Sequence, residues 1–350
     1  MVVSESIQKE LKRSINHSTG YIHEKRALDG LWYDFDTLAG ASSEWVSGYI
    51  LSTLSLLSDY SCPIDRAHKI LLTRQRANGG WAYNHKVPTD ADSTSWVMMS
   101  FSGLPLWRPS AMIRGINFIR DHFNHADGGF TTYAPKDHIE QFIEANKDLT
   151  KGWLGSHTCV TAVALQSLLF NKLHSDQEII NKGCRFLTEN QQSNKLWNSY
   201  WWQGNAYSTF HCLKTLLLAK HISIRDAKKV IDEVISRMSV EGYWVESNND
   251  SSLFSTALFL RTVLLLPDKR NLKAVSKCVD YLLQSQLTDG SWPSAPILRI
   301  PPPMITNPET LMQWKTGEMG TGVIIEDQNK LFTTATISSA LHLYNKMFLN

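Results

Sequence analysis

The residue types best suited to chemistry lie in one short stretch, Val87-Pro-Thr-Asp90-Ala-Asp92-Ser93-Thr94-Ser-Trp96, where two carboxylates two residues apart stand at the entry to a helix. In a partly dry cavity both cannot easily ionise, so one pKa is pushed up, the other stays low, and the pair titrates as a unit. The protonated member can then serve as a general acid. The helix N-terminus opposes this by favouring the ionised form, and either aspartate is also an ordinary N-cap residue. Aromatic side chains crowd the same kind of segment: Trp45, Tyr49, Trp96, Phe101, Tyr200, Trp201, Trp202, Tyr207, Phe210 and Phe254. Desolvated aromatic faces stabilise a cation by ~1–2 kcal/mol each and offer no nucleophile to trap it, although such residues are equally common core anchors.

Histidines supply a rival chemistry. His157 starts one helix, with Cys159 two residues on, and His211 lies inside another beside Cys212. A zinc site mixing these with Asp92 is conceivable, but the spacing matches no zinc pattern and no metal is expected. His157, and Glu44 at another helix start, fit better as hydrogen-bond partners of the acid or as the base that ends the reaction. Capping or ion pairing is the alternative for both. Asp92 paired with Glu44 or Asp250 would instead suit glycoside chemistry. A non-catalytic binding scaffold is the third reading.

Those residues are positioned by a repeat. A turn signal followed by an aromatic recurs as Asp29-Gly-Leu-Trp32, Asn78-Gly-Gly-Trp81, Asp127-Gly-Gly-Phe130, Asn194-Lys-Leu-Trp197, Glu241-Gly-Tyr-Trp244 and Asp289-Gly-Ser-Trp292, at intervals of 49, 49, 67, 47 and 48 residues. A period in this range means stacked supersecondary units. Upstream of the turns lie amphipathic segments (63–75, 110–120, 175–191, 223–238, 271–286), which predict solvent-facing helices. Downstream lie segments nearly free of charge and apolar all round (44–54, 92–104, 157–168, 205–218, 251–265, 332–344), which predict buried ones. Small residues recur at matching places in the buried set: Ser47-Gly48, Thr94-Ser95, Thr161-Ala162, Ser208-Thr209 and Ser255-Thr256. Six inner and six outer helices, the inner ones tightly packed, predict an all-α (α/α)6 toroid forming a single domain over residues 1–350. Two connections break the period, about 131–156 and 293–331, the second holding Ile300-Pro-Pro-Pro-Met304 and the glycine-rich 315–322. Both leave the ring on the face where inner helices begin and are expected to cap that mouth.

Composition narrows the function classes. Of 350 residues, 43% are hydrophobic and 19% charged, with 35 basic and 33 acidic side chains. Neither disorder nor a membrane span fits, and a net charge of +2 gives no footprint for nucleic acid. The five scattered cysteines suit reduced thiols. The N-terminal 1–13 stretch reads as an amphipathic helix and not as a secretory signal, which predicts the cytoplasm. Twelve tryptophans are the compositional oddity; five of them, Trp32, Trp81, Trp197, Trp244 and Trp292, mark the repeat turns.

Gln75-Arg-Ala-Asn-Gly-Gly-Trp81 resembles the QW repeat of squalene-hopene and oxidosqualene cyclases, in which a Gln, glycines and a Trp tie outer helices to the turns; Gln286-Leu-Thr-Asp-Gly-Ser-Trp292 looks like a degenerate copy. Asp90-Ala-Asp92-Ser93-Thr94 is similar to the DxDD(T) acid motif of class II terpene cyclases, which also opens an inner helix. The resemblance implies the (α/α)6 fold, and it makes Asp92 the acid that protonates an alkene or epoxide and Asp90 the residue that polarises it. Ser93 stands where the family has a third aspartate. A hydrophobic isoprenoid-like substrate of secondary metabolism is implied, lined by Glu44, Trp45, Trp96, Tyr200, Trp201, Trp202, Tyr207, His211 and Phe254, with no metal or organic cofactor because the acid is the protein's own. The cyclases resembled have two toroids with the cavity between them, whereas this chain has one. The missing wall must come from the two insertions, from a second subunit as in a homodimer, or from a substrate small enough to do without it. Peripheral contact with a membrane is left open, as is a non-terpenoid, polyketide- or peptide-derived substrate.

Overall fold

Six buried helices pack side to side in a closed circuit in the computed structural model, which describes residues 5–57, 66–104, 108–171, 176–245 and 252–348. Cys62, Trp107, Asp250 and Ser251, and the starts of the segments expected at 63–75 and 175–191, lie outside the described residues. In chain order the elements are α1 (Glu5–Glu24), β1 (Asp34–Thr37), β2 (Gly40–Ser42), α2 (Glu44–Leu57), α3 (Arg66–Arg74), α4 (Ala91–Ser100), α5 (Pro109–Arg120) and the short α6 (Ile139–Phe142). They continue as α7 (Thr158–Phe170), α8 (Gln177–Glu189), α9 (Ala206–Leu218), α10 (Ile224–Ser236), α11 (Leu253–Val263), α12 (Leu272–Gln284), β3 (Pro296–Ile300), β4 (Lys315–Thr316), β5 (Val323–Glu326) and α13 (Leu331–Phe348). The inner ring runs α2, α4, α7, α9, α11, α13, each helix packed on the next, and α13 closes back onto α2. The sixth outer helix is α1, which extends well beyond Arg13, packs on α13 and buries Leu11, Ile15 and Ile22, so the first outer helix completes the last repeat.

The repeated tryptophans and the repeated small residues are two halves of one device. The backbone N–H of each turn aromatic donates to a hydroxyl one turn inside the following inner helix: Trp32 to Ser47 (2.9 Å), Trp81 to Thr94 (2.9 Å), Phe130 to Thr161 (2.8 Å), Trp197 to Thr209 (3.1 Å), Trp244 to Thr256 (3.3 Å) and Trp292 to Thr334 (3.2 Å). Each tryptophan's indole N–H donates the other way, to a carbonyl ten residues earlier on the outer helix, as Trp81 does to Leu71 (2.6 Å) and Trp292 to Leu282 (2.7 Å). Outer helix, turn and inner helix are thus pinned by buried polar groups that are all satisfied. Gln75 Nε2 bridges the Gly79 carbonyl and the Ala111 carbonyl of α5, and Gln286 bridges Gly290 and Ser14 of α1 in the same way. At Gly48 a Cβ would lie 2.7 Å from the Val97 backbone nitrogen, so glycine sets how closely α2 approaches α4.

The all-α expectation holds for the ring, with one correction at its mouth. The 293–331 connection, expected as a proline- and glycine-rich loop, carries a small sheet of order β3-β5-β4, β3–β5 antiparallel and β4–β5 parallel. The segment alternates Leu298 and Ile300 against Arg299, a period-two pattern too short to outweigh the prolines around it. β1 and β2 form a hairpin beside it, with β1 against β5. Four of the five cysteines, Cys159, Cys184, Cys212 and Cys278, are buried free thiols.

Candidate active site

A cavity of about 470 Å³ opens on the face where the inner helices begin. Its floor is the start of α4. Asp90 is the N-cap, its Oδ1 accepting the Ser93 backbone N–H at 2.7 Å and its Oδ2 the Ser93 hydroxyl at 2.6 Å. Burial nevertheless pushes Asp90 up to about 7, with the Ser93 donors pulling the other way. Behind it, the first insertion packs His122 against Asp137 (2.8 Å), whose carboxylate also caps the Ala134 N–H. Asp92 has no such partner. Its carboxyl faces the cavity while protein surrounds it, and burial first, the charge of Asp90 second, hold its pKa well above the usual carboxylate range. The Trp45 indole N–H stands close enough to favour the anion slightly, without making a hydrogen bond of normal geometry.

The walls are largely aromatic and come from the start of α2, the β1–β2 hairpin, the turns before α4 and α9, and the two insertions. Trp45 from α2 lies 5.7 Å from Trp202 and stacks on Tyr83 at 6.0 Å, centroid to centroid. The first insertion gives Thr132, Tyr133, Ile139, Phe142 and Trp153; the second gives Leu298, Ile300, Gly320 and Thr321. Trp201 joins the two: its indole donates to Thr132 Oγ1 (2.7 Å) and its ring meets Trp153 edge-on at 5.5 Å in the first insertion, and its carbonyl accepts the Arg299 N–H (2.8 Å) of the second. Trp153 in turn donates to the Pro301 carbonyl at 2.9 Å.

Of the residues singled out in the sequence, Asp90, Asp92, Ser93, Trp45, Trp201 and Trp202 line this cavity. The others stand behind it. Trp202 stacks on Tyr207 at 4.0 Å and on Phe254 at 5.4 Å, and Trp96 donates to the Tyr207 hydroxyl (3.1 Å), so Trp96, Tyr207 and Phe254 form a supporting layer. Tyr200 hydrogen-bonds the Ile305 carbonyl at 2.8 Å and stacks on His157 at 3.6 Å. His157, expected as partner or base, is lowered to about 3 by burial and does not line the cavity. Glu44 is likewise engaged elsewhere, its carboxylate bridging Arg76 (3.0 Å) and the Ala82 N–H (3.0 Å) across to the neighbouring turn. His211 packs beneath Trp96 and Tyr207 with Nδ1 at 3.2 Å from Gln166 Nε2, its pKa depressed by burial. Among the described residues, no three His, Cys, Asp or Glu side chains gather in metal-binding geometry, so Asp92, His157, Cys159 and His211 are not one cluster.

Sequence reasoning missed Tyr83 and Tyr133. Both follow a turn aromatic closely, in Trp81-Ala-Tyr83 and Phe130-Thr-Thr-Tyr133, a placement that could have identified them. The Tyr133 hydroxyl lies within electrostatic reach of Asp90 and Asp92, and burial with those charges raises its pKa well above that of an ordinary phenol.

The model of the squalene-hopene cyclase C-terminal domain matches residues 73–297. The type II terpene cyclase MstE from Scytonema, solved as a variant in complex with geranylgeranyl dihydroxybenzoate as substrate, is 28% identical and superposes with a TM-score of 0.86 over 97% of this chain and 99% of its own. A protein from Actinoplanes is 26% identical, with a TM-score of 0.82 over 95% of this chain and 99% of its own. Drimenyl diphosphate synthase of Streptantibioticus cattleyicolor is 24% identical over 248 residues, which span 67% of this chain but only 42% of that enzyme. Among the described residues, no helix is long and apolar enough to cross a membrane. Repeat turns, the helix-capping aspartate and the family match over well more than half its length agree: the chain belongs to the squalene-hopene cyclase C-terminal domain family, with type II terpene cyclases as relatives of its own size.

Proposed function

We propose that the protein is a cytoplasmic type II terpene cyclase of secondary metabolism that starts ring closure by protonating an isoprenoid chain from Asp92. One observation carries this reading: Asp92 is the carboxyl that Ser93 does not hold, and it faces an aromatic cavity under conditions that keep its proton on. The Asp92 O–H proton moves to an alkene carbon, a C–H bond forms, and the alkene's other carbon becomes the cation. The next alkene's electron pair closes a C–C bond onto it, and the charge passes along the chain past Trp45, Trp202 and Trp201. A proton lost from a carbon beside the last cation, to water or a hydroxyl at the cavity wall, ends the sequence, and Asp92 is reprotonated from solvent.

The two insertions supply the wall that a single toroid lacks, since both contribute cavity residues. Relatives supply the substrate class: one is named for a diphosphate product and another was solved with a geranylgeranyl dihydroxybenzoate, so a prenyl chain is common to both and the head group is not. The test is to incubate wild type, Asp92→Asn and Asp90→Asn with farnesyl, geranylgeranyl and squalene-type substrates without added metal. Cyclised product from wild type and none from Asp92→Asn is the expected result. Turnover unaffected by Asp92→Asn would sink the assignment.

A further inference from the structure

We infer that the prenyl substrate carries an uncharged, hydrogen-bonding head group, an alcohol or a phenol, and not a diphosphate. This rests on the cyclase reading only for the direction in which the chain lies. With the reacting alkene at Asp92 on the buried floor, the head sits at the mouth, where Leu38, Phe142, Glu144 and Thr321 are exposed.

The Thr37 hydroxyl is engaged within the hairpin, donating to the Gly40 carbonyl (3.1 Å) and accepting the Ala39 N–H (3.2 Å), so the side-chain polar groups offered there are the Thr321 hydroxyl and the Glu144 carboxylate. A hydroxyl head can donate to Glu144 and accept from a threonine. A diphosphate carries at least two negative charges and is held by charge-assisted bonds from arginine, lysine or a metal. None of the described residues lining the cavity is Lys, Arg or His. Of the cations nearby, Arg299, Lys315 and Lys136 are turned away or already paired, while Lys86, exposed beside the lining residue Val87, has its Nζ next to Gly40 of the hairpin and does not itself line the cavity. Arg299 sits between the lining residues Leu298 and Ile300, and strand alternation puts it on the opposite side of β3, bound to Glu309 (2.8 Å) and the Ser199 carbonyl and covered by Trp314. Lys315 at the mouth pairs with Glu318 at 3.0 Å, and Lys136 pairs with Asp121. A diphosphate at the mouth would therefore meet the Glu144 carboxylate with no cation among the described lining residues to offset it.

Binding separates this inference from turnover. Quenching of tryptophan fluorescence, sensitive here because Trp45, Trp153, Trp201 and Trp202 line the cavity, is measured on the full-length Asp92→Asn protein. The probes are geranylgeraniol, 2-geranylgeranylphenol, and geranylgeranyl diphosphate with and without magnesium. The alcohol and the phenol are expected to bind at least about tenfold tighter than the diphosphate in both conditions, and Glu144→Lys is expected to narrow that gap by about threefold or more. Diphosphate binding as tight as the alcohol's, an unchanged gap in Glu144→Lys, or no binding of any of the three overturns the inference. Failure of the acid assignment would show elsewhere, as equal turnover in wild type and Asp92→Asn, and would leave the ranking of head groups standing.

Discussion

Ser93 holds Asp90 with both of its donors, backbone N–H to Oδ1 at 2.7 Å and hydroxyl to Oδ2 at 2.6 Å. The consequence falls on Asp92. The two donors favour charge on Asp90, and that charge, after burial itself, is the next cause keeping the proton on Asp92. A serine where the related motif has a third aspartate therefore sharpens the division of labour between the two carboxyls that remain. Asp90 caps the helix with donors that pull it toward the anion against the burial that raises it to about 7, and Asp92, without such donors, is the carboxyl proposed as the acid.

The pH profile should report this coupling. Activity needs Asp92 protonated, so kcat falls on the alkaline side as Asp92 ionises. Asp90→Asn keeps an N-cap side chain but removes the charge, so the pKa of Asp92 drops and the alkaline limb moves to lower pH. Because burial is the larger cause, the limb should shift and not vanish. An alkaline limb that stays put or moves to higher pH in Asp90→Asn would contradict the arrangement.

The clamp between turns and inner helices carries a stability prediction. Thr94→Val removes the acceptor of the Trp81 N–H and leaves that donor buried without a partner, at a cost of about 1–3 kcal/mol. Thr94→Ser keeps the hydroxyl and should recover most of the loss. Urea unfolding of the three proteins measures this, and equal midpoints for Thr94→Val and wild type would show the clamp to be idle.

The ring was legible because its signals are local and repeated: a charged helix face, a glycine turn, an aromatic, then a helix without charge. The acid pair was legible for the same reason, as two carboxylates at a helix start. Which aromatics would face the cavity was not. An inner helix apolar all round gives no periodicity that separates cavity from core, so Trp45 and Trp96, each near a helix start, read alike although one lines the cavity and the other braces Tyr207 behind it. Glu44 and His157 misled in a related way. Both occupy the right end of an inner helix, but Arg76 and the Ala82 N–H claim one, and Tyr200 stacks on the other, through contacts that the order of residues does not encode. Tyr133, Leu298 and Ile300 come from insertions whose course depends on each other, as the Gly152 N–H to Pro303 carbonyl bond between them shows.

Asp34 and Asp327 fasten the second insertion to the ring, and their protonation should be visible in stability. Asp34 accepts the N–H groups of Phe35, Asn329 and Leu331, while Asp327 accepts those of Ala295 and Thr333. Burial raises both carboxyls above their ordinary value, and the charge of Asp34 raises Asp327 further. The folded state thus binds protons that the unfolded chain has released, so this contribution is full below the ordinary carboxylate pKa of about 4 and is lost as pH rises above it. Tm of wild type should fall more steeply than that of Asp327→Asn between about pH 5 and about pH 9. Parallel curves would show that the pair titrates alike in the folded and unfolded chain.

Lys214 gives the opposite slope. Its ammonium lies 5.3 Å from the Phe170 ring centroid and 5.8 Å from that of Phe210, and burial, with the Arg261 charge next, lowers it to about 7. An unfolded lysine keeps its proton to about pH 10, so the folded state binds fewer protons across that interval and stability contributed at this site rises with pH from about 7 to about 10. Lys214→Met preserves an apolar stem against the two rings and removes the proton-linked cost. The variant should therefore raise Tm more at about pH 6, where the folded protein must carry the buried charge, than at about pH 10, where it need not. If thermal unfolding shows the same gain at both pH values, packing of the methionine and not the charge of Lys214 accounts for it.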